Sequence, residues 1–280
     1  MAAPSTALDA DWLTACRRAV TALRAVLETY PTTRERAEEL GRGKGGDRTL
    51  IIDSAAEEAV FAQLDVLHEQ GHRFCAVSEE RGVVDYGDPG VRVVIDPIDG
   101  SLNAKRALPH HALSIAVADG PTMADVAFGF VFDFGPGEEW WARRGEGAWL
   151  DGERLQTGLG ERRNRAGRLE VLGIESADPR WVAEVADELA DVSHRLRALG
   201  AIAISLCQVA AARMDAMLSL KNCRAVDAAA GQLIVREGGG VVAFPACDGP
   251  LTAPLDLEPR SPVVAARTER TLAELSALPR

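Results

Sequence analysis

The sequence predicts a layered α/β (α+β) fold. Three observations carry this expectation. Up to about residue 150, after two helical stretches, the chain is dominated by short apolar runs closed by turns or acids; beyond it, strand-like and helix-like segments alternate; and no internal repeat or low-complexity tract interrupts either part. The expected halves are residues 1–150 and 151–280. A chain of 280 residues is long enough for one large domain or two fused halves around a real core.

The elements follow from local pattern. Trp12, Leu13, Cys16, Ala19, Val20, Leu23, Val26 and Leu27 recur at helical spacing, so 9–30 reads as an amphipathic helix. "LGRGKGGDRTLIID" (40–53) sets four glycines around Lys44, the pattern of a mobile loop. A second helix is expected after Asp53, with Ser54 and Glu57 at capping-box spacing. "RFCAVSEE" (73–80) and "VRVVIDP" (91–97) read as short buried strands that end in carboxylates, and 112–150 reads as β structure with a turn at Asp151-Gly152. In the second half, strands are expected at 168–174, 215–220 and 240–244. Helices are expected at 178–189, 200–213 and 225–239, with a short amphipathic helix at the C-terminus. The 200–213 helix is apolar nearly all round; its small residues suit packing in the core or at a dimer interface, and a homodimer is the expected assembly. Trp140 and Trp141 are read as sheet packing, and Arg162, Arg163 and Arg165 as a solvated basic loop.

The balance of 31 basic against 42 acidic residues gives a net charge of −11, which repels a phosphate backbone and argues against nucleic-acid binding. The five cysteines lack the close spacing of a zinc knuckle, so reduced thiols and a cytoplasmic location are expected. The N-terminal residues do not pattern as a signal peptide, and no apolar run approaches a membrane span.

Acids close several of these elements: Asp53, Glu79-Glu80, Asp96 with Asp99, and Asp227. Each has a plain explanation. Asp53 fits a helix N-cap, Glu79 and Glu80 fit a solvated loop, Asp96-Pro97 fits a turn, and Asp227 complements a helix dipole. Together they point elsewhere. Strands that end in acids gather them at one sheet edge, and converging carboxylates raise one another's pKa unless a cation neutralises them. Oxygen ligands of this kind suit Mg²⁺. Pro97 fixes one φ, and Gly100 permits close backbone approach beside a phosphate.

At "SEE" (78–80), "DPIDGSLN" (96–103), "VDAAAGQLIVREGGG" (226–240) and, more weakly, "GDRTLIID" (46–53), the sequence resembles the inositol monophosphatase family of Mg²⁺-dependent phosphatases, whose superfamily includes fructose-1,6-bisphosphatases and nucleotide 3′-phosphatases. The resemblance implies an α-β-α-β-α sandwich of the sugar-phosphatase type. It implies that Glu79, Asp96 and the Ile98 carbonyl hold a first Mg²⁺ and that Asp96, Asp99 and Asp227 hold a second, with room for a third near Glu79. Asp53 and Ser101 would orient and activate the attacking water, supported by Glu80. The Gly100 and Ser101 amides would bind phosphate, and Lys44 would lie in a loop that closes over the site. Arg197, Gly200 and Ala201 are implied to line the substrate side.

The sequence departs from the family pattern at Val226, where tryptophan is common, at Leu50, where threonine is common, and at Ser101, which keeps the hydroxyl of the usual threonine. "SLKNCRAV" lacks the acid that contacts inositol in some members, while Lys221 and Arg224 add positive charge suited to a second phosphate. The expected reaction is therefore hydrolysis of a small phosphorylated polyol or sugar, with myo-inositol 1-phosphate first. Fructose 1,6-bisphosphate or a nucleotide 3′-phosphate is the alternative, and a non-catalytic regulator is a different class. An acidic Ca²⁺-binding protein fits less well, since the chain lacks an EF-hand loop. His110 and His111 complete no zinc pattern and are placed on the substrate-side loop or the surface.

Overall fold

The computed structural model describes residues 7–37, 39–42 and 48–278, with 39–42 and 48–50 described by backbone alone. Helix α1 (Trp12–Thr29) starts where the Asp11 carboxylate accepts a hydrogen bond from Thr14 N, and it buries Trp12, Cys16, Val20 and Leu23 along one face. A short α2 (Thr33–Arg36) and a hairpin of β1 (Glu39–Arg42) and β2 (Arg48–Leu50) lead into α3 (Ile51–Glu69). Helix α3 begins three residues earlier than expected, so Ser54 lies inside it and caps nothing. Glu57 is turned inward, away from any capping role, and is buried. The Lys44 loop lies outside the described residues.

Eight strands follow: β3 (Cys75–Ser78), β4 (Gly82–Asp85), β5 (Arg92–Asp99), then a one-turn α4 (Ser101–Lys105), β6 (Ala112–Ala118), β7 (Val126–Asp133), β8 (Glu138–Arg143), β9 (Gly147–Leu150) and β10 (Glu153–Arg154). They form one sheet in the order β10-β9-β8-β7-β6-β5-β3-β4, with β3 and β5 parallel and the other neighbours antiparallel.

The second half supplies β11 (Leu172–Glu175), α5 (Pro179–Glu184), α6 (Ala186–Val192), β12 (Leu196–Arg197), α7 (Ile202–Ala210), β13 (Ala216–Ser219), α8 (Ala225–Glu237), β14 (Val241–Ala243), β15 (Val264–Ala266) and α9 (Glu269–Ser276). Its sheet runs β12-β11-β13-β15-β14, with β11 parallel to both of its neighbours, as the alternation of strands and helices predicts. The helix expected at 178–189 divides at Val185, which leaves helical geometry at φ −124° and ψ 19°. The strand expected at 168–174 is shorter, because Leu169 bridges instead to Arg163 and Ser193. The basic run beside it is anchored in part, while Arg165 is exposed as expected. Arg162 donates to the buried Asp215, and Arg163 donates to Thr271 and Glu274.

Three apolar clusters define the layers, and they give the α-β-α-β-α order. One joins α1 and α3 to a face of the large sheet, through Trp12, Phe61, Val93, Ile95 and Phe130. The second fills the space between the sheets with α7 and α8, through Val94, Ala116, Leu206, Ala230 and Met217. The third packs α6 and α9 on the far face of the small sheet, through Leu189, Leu218, Val264 and Leu275. Burying each large side chain of this kind contributes about 1.5–3 kcal/mol. Helix α8 sits very close to the large sheet: a Cβ on Gly129 of β7 would lie 2.8 Å from the Ala230 carbonyl oxygen. The run Ala228-Ala229-Ala230-Gly231 is therefore read as a spacing device that brings the first turn of α8 against the end of β5. Trp140 is fully buried and Trp141 stacks on Trp149 with ring centroids 3.9 Å apart, both as sheet packing. Cys16, Cys75, Cys207, Cys223 and Cys247 are free thiols. Among the described residues, no helix is long and apolar enough to cross a membrane.

Candidate functional site

The end of β5 departs from regular strand geometry. In a regular strand, residues three apart point to opposite faces. Here Asp96 pairs with Ser114 and Asp99 with Ala112, so three steps on β5 match two on β6, and the extra residue forms a bulge. Ser114 and Ala112 share a face, so Asp96 and Asp99 share one too. That face looks toward α7 and α8, since Val94 on the same side packs with them. Ile98 faces the opposite way, into the α1/α3 layer. The bulge is held locally. Ile98 N donates to Asp96 Oδ1 at 3.0 Å, and Ser101 Oγ donates to the Ile98 carbonyl at 3.0 Å.

Gly100 follows at φ +86° and opens α4. A side chain there is excluded twice over. The dihedral is left-handed, and a Cβ would meet the His110 carbonyl oxygen at 2.9 Å and that of Gly200 at 3.1 Å. The amides of Gly100 and Ser101 are thus carried at the start of a one-turn helix beside the acids.

The other acids arrive from separate elements. Asp53 is in the first turn of α3, and Glu79 and Glu80 occupy the turn between β3 and β4, whose Ser78 and Gly82 are paired. Asp227 is in the first turn of α8, where its Oδ2 accepts from Arg224 N at 2.8 Å. Asp53, Glu79, Glu80, Asp96, Ile98 and Ser101 line one small cavity together with Pro97. Asp99 lies just behind it, with Oδ2 accepting from Ala203 N at 2.7 Å at the start of α7.

The electrostatics record this convergence. Burial pushes the Asp96 carboxyl well above the usual range, and the charges of Asp99, Glu79 and Asp227 add to the shift while Arg224 opposes it. Asp99 is raised well above its ordinary value by burial first and then by Asp227, against the amides of Ala203 and Ile202. Residues 131 positions apart thus share one field. The oxygen donors, carboxylates with a backbone carbonyl, fit a hard divalent cation, and the burial of Asp96 and Asp99, only partly offset by Arg224 and the α7 amides, calls for further positive charge. Among the described residues, however, no group of three or more His, Cys, Asp or Glu side chains is already closed around a point that would hold an ion. Three of the acids are engaged elsewhere: Asp96 with Ile98 N, Asp99 with α7, and Glu79 with the Arg224 guanidinium at 2.8 Å.

The predicted substrate-side residues divide. Gly200 and Ala201 stand against Gly100, and Arg224 lies among the acids. Lys221 does not join them. Its ammonium lies 4.7 Å over the Trp181 ring, and it lines a separate cleft of about 580 Å³ with Pro245 and Pro262. Arg197, on the edge strand β12, donates to the Leu196 carbonyl. His110 turns its carbonyl to Gly100 and sets Nδ1 3.2 Å from the buried Asp133. His111 is buried, with its ring stacked on Phe134.

Two residues beside the site were not singled out from sequence. Asn103 donates from Nδ2 to the carbonyls of His110 and Leu199, at 2.8 and 2.7 Å, which holds the two loops around Gly100 together. Glu175 is buried at the end of β11 and accepts from Leu199 N, Gly200 N and Ser205 Oγ. "LGIE" ends an apolar strand in an acid just as "CAVSEE" does, so the rule that finds Glu79 also finds Glu175.

Comparison with known proteins gives the family and the fold. The profile of the inositol monophosphatase family matches residues 9–279. A fructose-1,6-bisphosphatase/inositol-1-monophosphatase of Methanothermobacter thermautotrophicus is 34% identical over 245 residues, 84% of each chain. The Nus factor SuhB of Escherichia coli K12 is 33% identical over 214 residues, 74% of this chain and 75% of that one. The crystal structure of the MJ0109 gene product, an inositol monophosphatase–fructose 1,6-bisphosphatase, superposes with a TM-score of 0.80 at 24% identity, over 95% of this chain and 99% of that one, a likeness of fold. With a family match over nearly its whole length, and relatives above 30% identity across most of it, the chain belongs to the inositol monophosphatase family.

Proposed function

We propose that the chain is a Mg²⁺-dependent phosphomonoesterase that releases phosphate from a small polyol or sugar phosphate, with myo-inositol 1-phosphate as the first candidate. The observation that carries this reading is the cavity shared by Asp53, Glu79, Glu80, Asp96, Ile98 and Ser101, with Asp99 and Asp227 in the same field. Membership of a family of metal-dependent phosphatases supports it.

Glu79, Asp96, the Ile98 carbonyl, Asp99 and Asp227 would hold two or three divalent ions. When bound, such ions supply Lewis-acid polarisation of the phosphoryl group and a nucleophile at neutral pH. The chain's own residues do the rest. Asp53 and Ser101 orient the attacking water, and Glu80 supports them. The Gly100 and Ser101 amides fix the phosphate at the start of α4, and the bulge keeps Asp96 and Asp99 on one side of it. Gly200 and Ala201 shape the wall that meets the alcohol. The proposal includes a homodimer in the cytoplasm.

Arg224 favours a second reading with the same chemistry. A guanidinium among the acids would offer a second phosphate a cationic partner, as in a sugar bisphosphate, and the Methanothermobacter relative carries both activities in its name. The SuhB name of other relatives motivates a third reading, a role that does not need catalysis. Purified protein assayed with myo-inositol 1-phosphate, fructose 1,6-bisphosphate and a nucleotide 3′-phosphate, with and without Mg²⁺, separates them. Mg²⁺-dependent turnover of one substrate is expected, and no turnover of any would overturn the enzyme reading.

A further inference from the structure

Asp53 and the Glu79-Glu80 pair come from different elements, and one buried side chain joins them. Glu57 lies one helical turn after Asp53 on α3, about 6 Å along the axis. It is buried. Its Oε1 accepts the Ser78 hydroxyl and also Arg81 N, the latter at 3.2 Å. Ser78 and Arg81 flank Glu79 and Glu80, so a single carboxylate oxygen grips the turn between β3 and β4 on both sides of the acid pair. Arg81 adds a second hold on the same helix: its guanidinium lies 4.3 Å over the ring of Phe61, one turn beyond Glu57, with Nε 3.9 Å from Glu57 Oε2.

A carboxylate placed in a core carries a desolvation penalty before its hydrogen bonds offset it, and an apolar residue would join α3 to β3 more simply. What an apolar residue cannot supply is an acceptor for the backbone of a turn that carries two further acids. Without Glu57 the Arg81 amide would lose that partner, and a turn that already bears the mutual repulsion of Glu79 and Glu80 would lose one of its holds.

We propose that Glu57 is a positioning residue that fixes Glu79 and Glu80 relative to Asp53 and thereby sets both cation affinity and turnover. The proposal rests on the metal-centre reading above, and its own failure is distinguishable. If wild-type protein binds no Mn²⁺, that reading fails; if wild type binds and the variants match it, this one does.

The test uses the full-length chain stripped of metal and titrated calorimetrically with Mn²⁺ alone. Hydrolysis of myo-inositol 1-phosphate at saturating Mg²⁺ is measured alongside. Glu57→Ala should weaken Mn²⁺ binding about tenfold and lower kcat by a similar factor, with KM little changed. Glu57→Gln keeps the carbonyl acceptor for both donors and should recover both quantities to within about threefold of wild type. An alanine variant that matches wild type, or a glutamine variant as impaired as alanine, would overturn the proposal. Should Glu57→Ala fail to fold, Ser78→Ala removes only the hydroxyl. It should weaken Mn²⁺ about threefold with little change in Tm, and unchanged affinity would count against the proposal equally.

Discussion

Arg224 donates from Nη1 to Oε1 of Glu79 across 2.8 Å, although 145 positions separate the two residues. Its Nε also lies 3.8 Å from Asp227 Oδ1. The guanidinium therefore spans two of the acids proposed to hold cations, and it competes with any ion for them. Arg224→Ala should tighten the first Mn²⁺ bound by about threefold to tenfold in calorimetric titration, and it should lower the Tm of the metal-stripped protein. Weaker Mn²⁺ binding would show that Arg224 supports the cation site instead of competing for it.

Asp96 is held well above the ordinary carboxylate range, chiefly by burial. In the metal-stripped protein its ionised form opposes folding. Asp96→Asn should therefore raise the Tm measured in EDTA by roughly 2–4 °C, while Mg²⁺-dependent kcat falls about 100-fold or more. Stability and activity moving in opposite directions is the signature of a buried charge kept for function.

Glu175 holds the opposite wall. It accepts from Leu199 N at 3.1 Å and Gly200 N at 3.0 Å, and burial raises its pKa against those bonds. Glu175→Gln leaves one of these amides facing an NH₂ group, so the 199–200 loop should loosen. The expected result is a KM about threefold to tenfold higher, with Mn²⁺ affinity near wild type. A change in Mn²⁺ affinity without a change in KM would place Glu175 with the acids instead.

His111 gives a pH dependence. Burial depresses its pKa below 6.5, assisted by Arg36 and His110 and opposed by the Leu108 carbonyl and Asp133. The folded state therefore keeps the ring neutral when the unfolded chain has already bound a proton. Stability from this group is present above about pH 6.5 and is lost as pH falls through that value toward the folded-state pKa. His111→Phe should flatten the decline in unfolding free energy between about pH 7 and pH 5, a slope of at most about 1.4 kcal/mol per pH unit for one proton. An unchanged slope would assign the decline to other groups.

How far the fold and the site could be read from sequence depends on whether each signal is local. A layered α/β fold was legible from the change of strand and helix pattern near residue 150, whereas the order of its layers came from the family resemblance. Asp96 and Asp99 were legible as a pair, since both lie in one short motif. The bulge that brings them to one face was not, because register belongs to the partner strand. The start of α3 was misplaced because Ser54 and Glu57 match a capping box locally, while tertiary contacts take Glu57 inward to Ser78. Lys221 and Arg224 are three residues apart and look alike as charges. Only packing tells them apart, with Trp181 drawing one away and Glu79 drawing the other in.

The bulge at Pro97-Ile98 also bears on how this segment can change over generations. A strand counts its residues by twos, and the odd residue restores even parity between the two aspartates. Exchanging one side chain for another there leaves the count alone, but losing or gaining a single codon would turn Asp99 to the α1/α3 side. New alcohols are therefore more readily accommodated by exchanging side chains around the pocket than by any change of length at the hinge of the bulge.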